Sequence, residues 1–320
     1  MKTVQVQQCL SDDEANGYLK RFMDLSLVSL VVNETMMVLK PDGRPLLIYI
    51  KDALPRNLCV TAFEVFKKVD VWTGGLNRGN AAGIIEGASD DRVRAAAGGH
   101  RDNVTRYFPE KEDGSRSNTA IAAAVPSAIV GYFDRYPRTP YCRQTAFTMD
   151  NPELWRQSLP FTRKVSGVFE EYAPVQFGAQ KAFVDRCHPD FIIPGTIFST
   201  ITVNRDWRTA GHTDEGDFKS GLGCMSVLQG GTYEGGELIF PKYGCAVDMR
   251  TGGVCLADVH EVHGNNPISG VPGQYVRISL VFYCRSGIAE CGSMAFELER
   301  AKRVGDDLSV RHATNTPKLF

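Results

Sequence analysis

The sequence predicts an α+β fold whose core is a double-stranded β-helix, or jelly roll, with helices from the N-terminal half packed on one of its sheets. Three observations support this prediction. Between residues 193 and 283, short apolar strands alternate with glycine turns such as GLG, GG and TGG, which is typical of an antiparallel jelly roll. Two stretches of that region, 196–203 and 275–283, alternate apolar and polar residues as half-buried strands do. The first 190 residues instead show helical spacing with proline breaks.

Length and composition describe an ordinary globular protein. The chain has 320 residues, of which 43% are hydrophobic and 23% are charged, so it can bury a large core. We expect a single domain over residues 1–320. Within it we place a helical and loop region at 1–190, a jelly-roll catalytic core at 191–288 and a C-terminal tail at 289–320.

The sequence shows no targeting or membrane signal. No apolar run approaches the roughly 18 residues that a membrane span needs. The start, MKTVQVQQCLSDDEANG, lacks the charged, apolar and small-residue regions of a signal peptide. We therefore expect no membrane association and a cytoplasmic or nuclear location.

The N-terminal half contains five predicted helices and one predicted strand. Helical spacing appears over residues 12–32, 58–71, 118–133, 152–172 and 174–187, and the apolar run PLLIYI at 45–50 predicts a strand. Residues 74–114 are rich in Gly, Ala and Asn without a sustained period, and we interpret them as a loop that forms the wall of a substrate cleft. Residues 289–320 predict one short helix and a frayed end.

The cysteine pattern indicates reduced thiols. Nine cysteines are an odd number, and they show neither paired spacing nor a CxxC motif. Four of them, Cys224, Cys245, Cys255 and Cys284, fall inside apolar strands. We expect these four to pack as small hydrophobic side chains.

His212 and Asp214 are candidate metal ligands. They lie two residues apart, so on an extended backbone their side chains leave the same face. With a second histidine they would supply two imidazoles and one carboxylate to one face of an octahedral metal. That arrangement leaves three positions open, which is what iron(II) needs to hold a chelating cosubstrate together with O2. His-x-Asp alone is common, and the flanking strand that ends before His212 gives it weight.

The second histidine is either His260 or His263. They lie three residues apart in DVHEVHGN, and spacing alone does not choose between them. His263 precedes Gly264 and Asn265, a turn signal that places it where a strand ends and a ligand can protrude. We therefore favour His263 as the ligand and expect His260 to form a hydrogen bond with a neighbour.

Arg277 lies in the middle of an apolar strand, which requires an anionic partner. A buried arginine is costly unless its charge is paired. Its planar fork matches a carboxylate with two hydrogen bonds, so Arg277 is the candidate anchor for a carboxylate-bearing cosubstrate. The alternative is a structural ion pair with an Asp or Glu of the chain.

Several segments together resemble a known family. HTDEGDF, GLGCMSVLQGGTYEGGELIFPKYGCAVDMR and VHEVHGN are similar to the oxygenase domain of the J-binding protein and ten-eleven translocation family, closest to its J-binding and phage-encoded branch. The likeness continues through QFGAQKAF, IPGTIFSTITVN and GLNRGNAAG, so it covers about residues 75–283. One departure is Gly252-Gly253, where the family often has Gly-Asp. It falls in a turn.

The resemblance implies an enzyme and its cofactors. Members of this family are iron(II)- and 2-oxoglutarate-dependent dioxygenases that oxidise the 5-methyl group of pyrimidine bases in DNA. By motif, His212, Asp214 and His263 become the iron ligands, and Arg277 becomes the residue that binds 2-oxoglutarate. The implied cofactors are therefore Fe(II), 2-oxoglutarate and O2.

The resemblance also implies a DNA substrate with a flipped base. We expect the protein to be a monomer, and the phage-encoded branch makes the cytoplasm of a phage host an alternative location. Asp217 would lie near the base, where an acid accepts a hydrogen bond from a cytosine amino group, and Asn204 would line the same pocket. Asn77 and Arg78 of the cleft loop complete the candidate substrate-binding residues. For Asp217 and Asn204 the alternative is a loop carboxylate and a strand-end amide bonded to the backbone.

We favour 5-methylcytosine as the substrate, oxidised to 5-hydroxymethylcytosine, with further oxidation of that product also open. The alternatives are a thymine hydroxylase of the J-binding type, a 2-oxoglutarate oxygenase on a non-DNA substrate, and a non-catalytic metal-binding jelly roll. The net charge of −1 favours a non-DNA substrate. The segment RYPRTPYCRQ, in which Arg135, Arg138 and Arg143 alternate with tyrosines, favours phosphate contacts, although a solvated loop has the same composition.

Overall fold

The structure is a computed structural model, and it divides into two compact units. It describes residues 1–71, 78–83, 106–107, 111, 113–115, 121–122, 125–137, 139–214, 218 and 220–315, with no side chains for 106–107, 121–122 and 306–315. The first unit comprises Met1–Ala128, Thr202–Glu215 and Leu222–Val281, and the second comprises Ile129–Ile201, Gly216–Gly221 and Phe282–Phe320. The single domain expected over residues 1–320 stays a prediction.

The described residues form seventeen strands and six α-helices. The strands are β1 Lys2–Gln5, β2 Leu30–Val32, β3 Met36–Leu39, β4 Pro45–Ile50, β5 Arg106–Tyr107, β6 Ile121–Ala122, β7 Ser127–Phe133, β8 Arg143–Gln144, β9 Thr200–Arg205, β10 Gly223–Gly230, β11 Glu234–Gly235, β12 Leu238–Phe240, β13 Cys245–Val247, β14 Val254–Ala257, β15 Gly264–Asn265, β16 Ile268–Ser269 and β17 Val276–Tyr283. The helices are α1 Asp12–Asn16, α2 Arg56–Phe66, α3 Ala146–Asp150, α4 Pro152–Tyr172, α5 Pro174–Val184 and α6 Met294–Asn315.

Two sheets make up most of the first unit. Within this unit the strands of the larger sheet follow the order β1-β3-β4-β14-β10-β17-β9, and the smaller sheet has the order β15-β12-β13-β2. One continuous apolar cluster joins them, with Leu47, Val227 and Cys255 from the larger sheet and Phe240 and Val247 from the smaller. Since each strand points alternate side chains to opposite faces, the two sheets bury their facing surfaces against each other. The metal-ligand candidates lie in this unit.

The second unit packs helices around aromatic side chains. Within it Phe282 contacts Phe161 of α4 and Phe198, with ring centroids 6.3 and 5.5 Å apart. The Glu297 carboxylate of α6 is fully buried and accepts hydrogen bonds from Arg135 and from the Cys142 backbone N–H. Burial raises the pKa of Glu297, but these bonds outweigh that effect and leave the pKa lower than usual.

Two predicted helices are wrong. Residues 12–32 form only the short α1, which a capping box at Ser11 and Glu14 begins, and the segment ends in strand β2. Strand β2 pairs in parallel with β13, so a distant strand and not the local period fixes its conformation. Residues 118–133 contain strand β7, whose sequence SAIVGYF is rich in strand-forming residues. The apolar residues of both segments have helical spacing in the sequence, but in the structure they lie in strands.

Other predicted elements are confirmed with adjusted ends. The strand at 45–50 and the helix at 152–172 have the predicted bounds, whereas the helices predicted at 58–71 and 174–187 end earlier, at Phe66 and Val184. The C-terminal region was predicted to hold a short helix, but α6 is 22 residues long. Much of the predicted 74–114 loop lies outside the described residues, and 79–82 form a 3-10 turn.

The prediction of reduced cysteines is wrong for one pair. Cys142 and Cys291 form a disulfide across a sequence separation of 149 residues, a distance over which spacing carries no signal. Of the four cysteines predicted inside strands, Cys284 is buried but lies one residue after β17. Cys224, Cys245 and Cys255 are buried thiols in strands, as predicted. Burial raises their pKa values, to about 12 for Cys245, so these thiols are unreactive.

Among the described residues, no helix is long and apolar enough to cross a membrane.

Candidate active site

The backbone brings His212 and His263 side by side. They form an antiparallel bridge in which each backbone N–H donates to the carbonyl of the other, with both N···O distances 2.9 Å. His263 directly precedes strand β15, so the turn predicted at Gly264 and Asn265 is wrong: these residues pair with β12, and His263 lies before a strand and not at the end of one. The two imidazole rings lie 4.3 Å apart between centroids.

Hydrogen bonds fix which ring nitrogen each histidine presents. His212 Nδ1 lies 2.8 Å from the Ala210 carbonyl, and His263 Nδ1 lies 2.9 Å from the Glu261 carbonyl. A carbonyl only accepts, so Nδ1 carries the proton in both rings and Nε2 keeps its lone pair. Both Nε2 atoms are therefore ready to bind a cation.

Asp214 completes a three-residue ligand set. Its carboxylate oxygens lie 3.7 Å from His212 Nε2 and 3.9 Å from His263 Nε2. The backbone N–H of Asp214 donates to the Val259 carbonyl, which holds the residue in place. One ligand atom from each residue lies within 4.8 Å of the others, and two imidazoles with one carboxylate are a donor set that suits iron(II).

His263 is neutral over the pH range in which enzymes work. It is 2% exposed, and its burial, together with the nearby His212, lowers its pKa to about 4. A neutral imidazole binds a metal without first losing a proton. By contrast, the His260 side chain is 37% exposed and bonds to Asp258, and it is not part of the ligand cluster.

Arg277 is 2% exposed, and its guanidinium is only partly satisfied. Its Nη2 donates to the Gly236 carbonyl at 3.0 Å, while the buried Nε has no hydrogen-bond partner. Over the described ranges, no carboxylate lies within ion-pair distance of this guanidinium. Within the described part of the chain Arg277 therefore has no ion-pair partner, and a buried unpaired charge is expected to receive an anion.

The surroundings of Arg277 are closely fitted. Its backbone exchanges two hydrogen bonds with Asp206, at 2.6 and 2.8 Å. Tyr233 lies beside the guanidinium, with its ring centroid 6.0 Å from the Arg277 Cζ. Gly236 has a φ of +79°, and a Cβ at that position would lie 2.9 Å from Arg277 Nε. A glycine at 236 is therefore needed both for its backbone conformation and for its lack of a side chain.

The loop that carries His263 is tied down by a buried lysine. Lys40 Nζ lies 2.7 Å from an Asp258 carboxylate oxygen and 3.4 Å from Glu261 Oε1. Burial raises the pKa of Asp258, but the hydrogen bond from Lys40 outweighs it and lowers the pKa overall. The Glu261 backbone carbonyl is the one that orients His263. Sequence reasoning missed Lys40, which follows an apolar strand and gives no motif signal.

The predicted substrate-binding residues are placed only in part. Asn204 is 7% exposed and bonds through its side chain to Ser127 and Ser279. Arg78 is half-buried and directly precedes the 3-10 turn Gly79–Ala82. Asp217 and Asn77 lie outside the described residues.

Of the three predicted phosphate-binding arginines, two are described. Arg135 is bound to the buried Glu297 carboxylate at 2.6 Å, which neutralises its charge. Arg143 stacks on the Phe133 ring, with Cζ 4.7 Å from the ring centroid, and donates to Thr139. Arg138 lies outside the described residues. Arg135 is therefore used for packing within its unit and contributes little to a phosphate-binding surface.

Comparison with known proteins places the chain in a family. Residues 128–286 match the Tet/JBP family model, described as the oxygenase domain of the 2OGFeDO superfamily. The chain is 34% identical over 238 residues to the bifunctional helicase and thymine dioxygenase JBP2 of Leishmania tarentolae. The aligned residues are 74% of this chain and 20% of that protein. It is 36% identical over 195 residues to the thymine dioxygenase JBP1 of Trypanosoma brucei brucei, covering 59% and 22% respectively. The chain thus spans about a fifth of the length of these curated relatives.

A solved structure supports the fold. The structure of NgTET1 in complex with 5mC DNA matches with a TM-score of 0.52 and 12% identity, covering 92% of this chain and all of that one. The match confirms the predicted fold class, α+β with a jelly-roll core. Iron(II), 2-oxoglutarate and O2, which the sequence predicted, are the cofactors of this superfamily, and the His212, Asp214 and His263 cluster fits the metal. The chain belongs to the Tet/JBP family of oxygenase domains in the 2OGFeDO superfamily.

Proposed function

We propose that this chain is an iron(II)- and 2-oxoglutarate-dependent dioxygenase that oxidises the 5-methyl group of a pyrimidine base in DNA. The observation that carries the proposal is the convergence of His212, Asp214 and His263 in the same unit as Arg277, a buried cation without an ion-pair partner among the described residues. A structural metal site would need the first three residues but not the fourth. The arginine therefore favours an enzyme over a non-catalytic jelly roll.

Each of the four residues has a separate role in this proposal. His212 and His263 hold iron(II) through Nε2, and Asp214 holds it through one carboxylate oxygen. Arg277 would bind the distal carboxylate of 2-oxoglutarate, because its buried Nε has no hydrogen-bond partner among the described residues. Iron(II) with 2-oxoglutarate and O2 supplies an oxidant able to remove hydrogen from an unactivated methyl group, with succinate and CO2 as coproducts, which side chains alone do not provide.

The protein supplies orientation and a dry environment. Backbone hydrogen bonds lock both histidine tautomers, so no reorganisation is needed when the metal binds. Phe240 packs 5.8 Å from the His263 ring between centroids and keeps water from that side. A methyl group on a paired base is out of reach of such a buried site, so the target nucleotide must leave the duplex stack.

Two bases are candidates for the substrate. The sequence analysis favoured 5-methylcytosine. The related JBP2 and JBP1 proteins are named thymine dioxygenases, which gives thymine about equal support. Both bases carry the same 5-methyl group, and the proposed chemistry is the same for each. Asp217, Asn77 and Arg78 remain our candidates for contacts with the base or the strand, in a protein that we expect to be a monomer.

Nucleoside mass spectrometry tests the proposal. Purified protein is incubated with iron(II), 2-oxoglutarate and one of three DNA duplexes. The first contains 5-methylcytosine, with deoxyuridine in place of thymine, and the second contains thymine and unmethylated cytosine. The third contains deoxyuridine and unmethylated cytosine, so it has no 5-methyl group. We expect a 5-hydroxymethyl nucleoside and succinate from at least one of the first two duplexes, and neither product from the third or from Asp214→Ala. Free thymidine and 5-methylcytidine are assayed in parallel. Oxidation of the free nucleosides alone would overturn the DNA assignment, and failure to turn over 2-oxoglutarate with any substrate would overturn the oxygenase itself.

A further inference from the structure

The side chain of Asn204 lies between two serines. Asn204, in β9, is 7% exposed, and Ser127, at the start of β7, is fully buried. Ser127 Oγ lies 2.5 Å from Asn204 Oδ1, and Asn204 Nδ2 lies 3.4 Å from Ser279 Oγ in β17. All three residues belong to the first unit. Their side chains form one row of hydrogen bonds that ends at Ser279, which lies two residues after Arg277 in β17.

The two contacts give the orientation of the Asn204 amide. Its oxygen lies on the Ser127 side and its NH2 on the Ser279 side, so each end of the amide meets a hydroxyl. Ser127 donates to this oxygen, and the amide NH2 is left to face Ser279.

The direction of the last bond follows. An amide NH2 only donates, so Ser279 Oγ is the acceptor of the bond from Asn204. The hydroxyl proton of Ser279 is then free for another acceptor. Ser279 and Arg277 lie two apart in a strand and so share a face, and Ser279 is partly exposed on it. Both residues thus offer donors on the side where the Arg277 guanidinium has an unpartnered N–H.

We infer that Asn204, held by Ser127, is a positioning residue for the cosubstrate acid, because it keeps the Ser279 hydroxyl as a donor on the same strand face as Arg277. This inference rests on the proposed function. It also changes the role of Asn204, which the sequence analysis assigned to the base pocket. Asn204 acts on the cosubstrate through Ser279, and it does not itself touch the acid.

Asn204→Asp is the sharpest test. The carboxylate has the shape of the amide but no N–H, so it accepts a hydrogen bond from the Ser279 hydroxyl. The hydroxyl then turns a lone pair, and not its proton, toward 2-oxoglutarate. Binding of 2-oxoglutarate to the manganese(II)-loaded protein is measured by calorimetry, without turnover. We expect the dissociation constant to rise about tenfold or more in Asn204→Asp, the scale of a lost charge-assisted bond. The affinity for manganese(II) should not change, since Asn204 is not in the ligand cluster.

A double-mutant cycle separates positioning from simple charge repulsion. In the Ser279→Ala background, Asn204→Asp should raise the dissociation constant by less than about threefold, because its effect is transmitted by the missing hydroxyl. Asn151→Asp, a half-buried asparagine of the second unit, is the control for an added charge and should leave binding unchanged. Equal effects of Asn204→Asp with and without Ser279 would overturn the inference. If wild-type protein does not bind 2-oxoglutarate at all, the proposed function fails instead.

Ser127→Ala provides a second variant that does not alter charge. Without the Ser127 donor the Asn204 amide is no longer held in one orientation, so we expect a weakening of 2-oxoglutarate binding by about threefold. This effect should also vanish in the Ser279→Ala background. A Ser127→Ala protein with wild-type affinity, or with a loss that persists without Ser279, would contradict the inference even if Asn204→Asp does not fold.

Discussion

His212 and His263 are joined through their backbones by two reciprocal hydrogen bonds, each with an N···O distance of 2.9 Å. The bridge fixes the separation of two residues that lie far apart in the sequence. Backbone carbonyls at Ala210 and Glu261 then fix the orientation of each ring. The site is therefore organised by backbone geometry before any metal arrives, which is the condition for tight binding with little reorganisation.

Removing one ligand should abolish metal binding selectively. We expect wild-type protein to bind one iron(II) per chain and Asp214→Ala or His263→Ala to lose most of that affinity, because two ligands cannot hold the ion on one face. His260→Ala is the matched control, since His260 lies in the same loop but outside the ligand cluster. Anaerobic calorimetry with iron(II) checks this. A larger loss in His260→Ala than in His263→Ala would show that the ligand assignment is wrong.

Gly236→Ala should weaken binding of 2-oxoglutarate. The added Cβ would lie 2.9 Å from Arg277 Nε and displace the guanidinium, so we expect an affinity loss of about tenfold. Gly273→Ala is a matched control, because Gly273 has nearly the same φ, +78°, with no atom within 4 Å of the added Cβ. Both variants carry a similar backbone strain. Equal affinities for 2-oxoglutarate in the two variants would mean that the Gly236 contact does not position Arg277.

Stability of the metal-free protein should fall with acid through His263. Its pKa is about 4 in the folded protein, against about 6.5 in an unfolded chain, so the unfolded chain binds the proton more readily between those values. The stability present above about pH 6.5 is therefore lost as the pH falls through 4, by roughly 3 kcal/mol from this group. Urea denaturation of wild type and His263→Gln from pH 7 to 4.5 measures it. An identical pH slope in the two proteins would rule out this origin.

Lys40→Met should destabilise the fold and loosen the His263 loop. Lys40 is buried against Asp258 and Glu261, and removing one partner of a buried ion pair costs roughly 3 kcal/mol. The control is Lys2→Met, which removes an exposed pair with Glu34 and should cost less than about 1 kcal/mol. Free energies of unfolding from urea titration compare the two. Similar losses would show that the Lys40 pair is no more important than a surface contact.

Local sequence patterns were sufficient to predict an element where the hydrophobic period of the segment itself determines its secondary structure. The helix at 152–172 and the strand at 45–50 were predicted with their bounds. The spacing of His212 and Asp214 was sufficient to mark them as ligands, and the structure brings His263 to them, although the turn predicted after His263 is a strand. Each of these signals lies within a few residues of the feature it predicts.

The remaining features depend on contacts between distant segments. Leu30–Val32 is a strand because it pairs with Cys245–Val247, so its helical spacing was misleading. The disulfide of Cys142 with Cys291 and the ion pair of Lys40 with Asp258 join segments that no short pattern connects. Such pairings appear only when the fold is known.

The most direct test of the account concerns Arg277. If the partly unsatisfied Arg277 guanidinium binds the distal carboxylate, Arg277→Ala loses a buried charge pair worth roughly 2 to 5 kcal/mol, and 2-oxoglutarate affinity falls by about 30-fold or more. Arg277→Lys should recover only part, because a point charge does not reproduce the fork. Iron(II) affinity should remain near wild type in both variants.

The measurement is an anaerobic titration of 2-oxoglutarate into the iron(II)-loaded protein, followed by the metal-to-ligand absorption band. We expect a band that saturates at low 2-oxoglutarate in wild type, at higher concentration in Arg277→Lys, and at concentrations about 30-fold or more above wild type in Arg277→Ala. Unchanged 2-oxoglutarate affinity in Arg277→Ala would show that Arg277 does not bind the distal carboxylate.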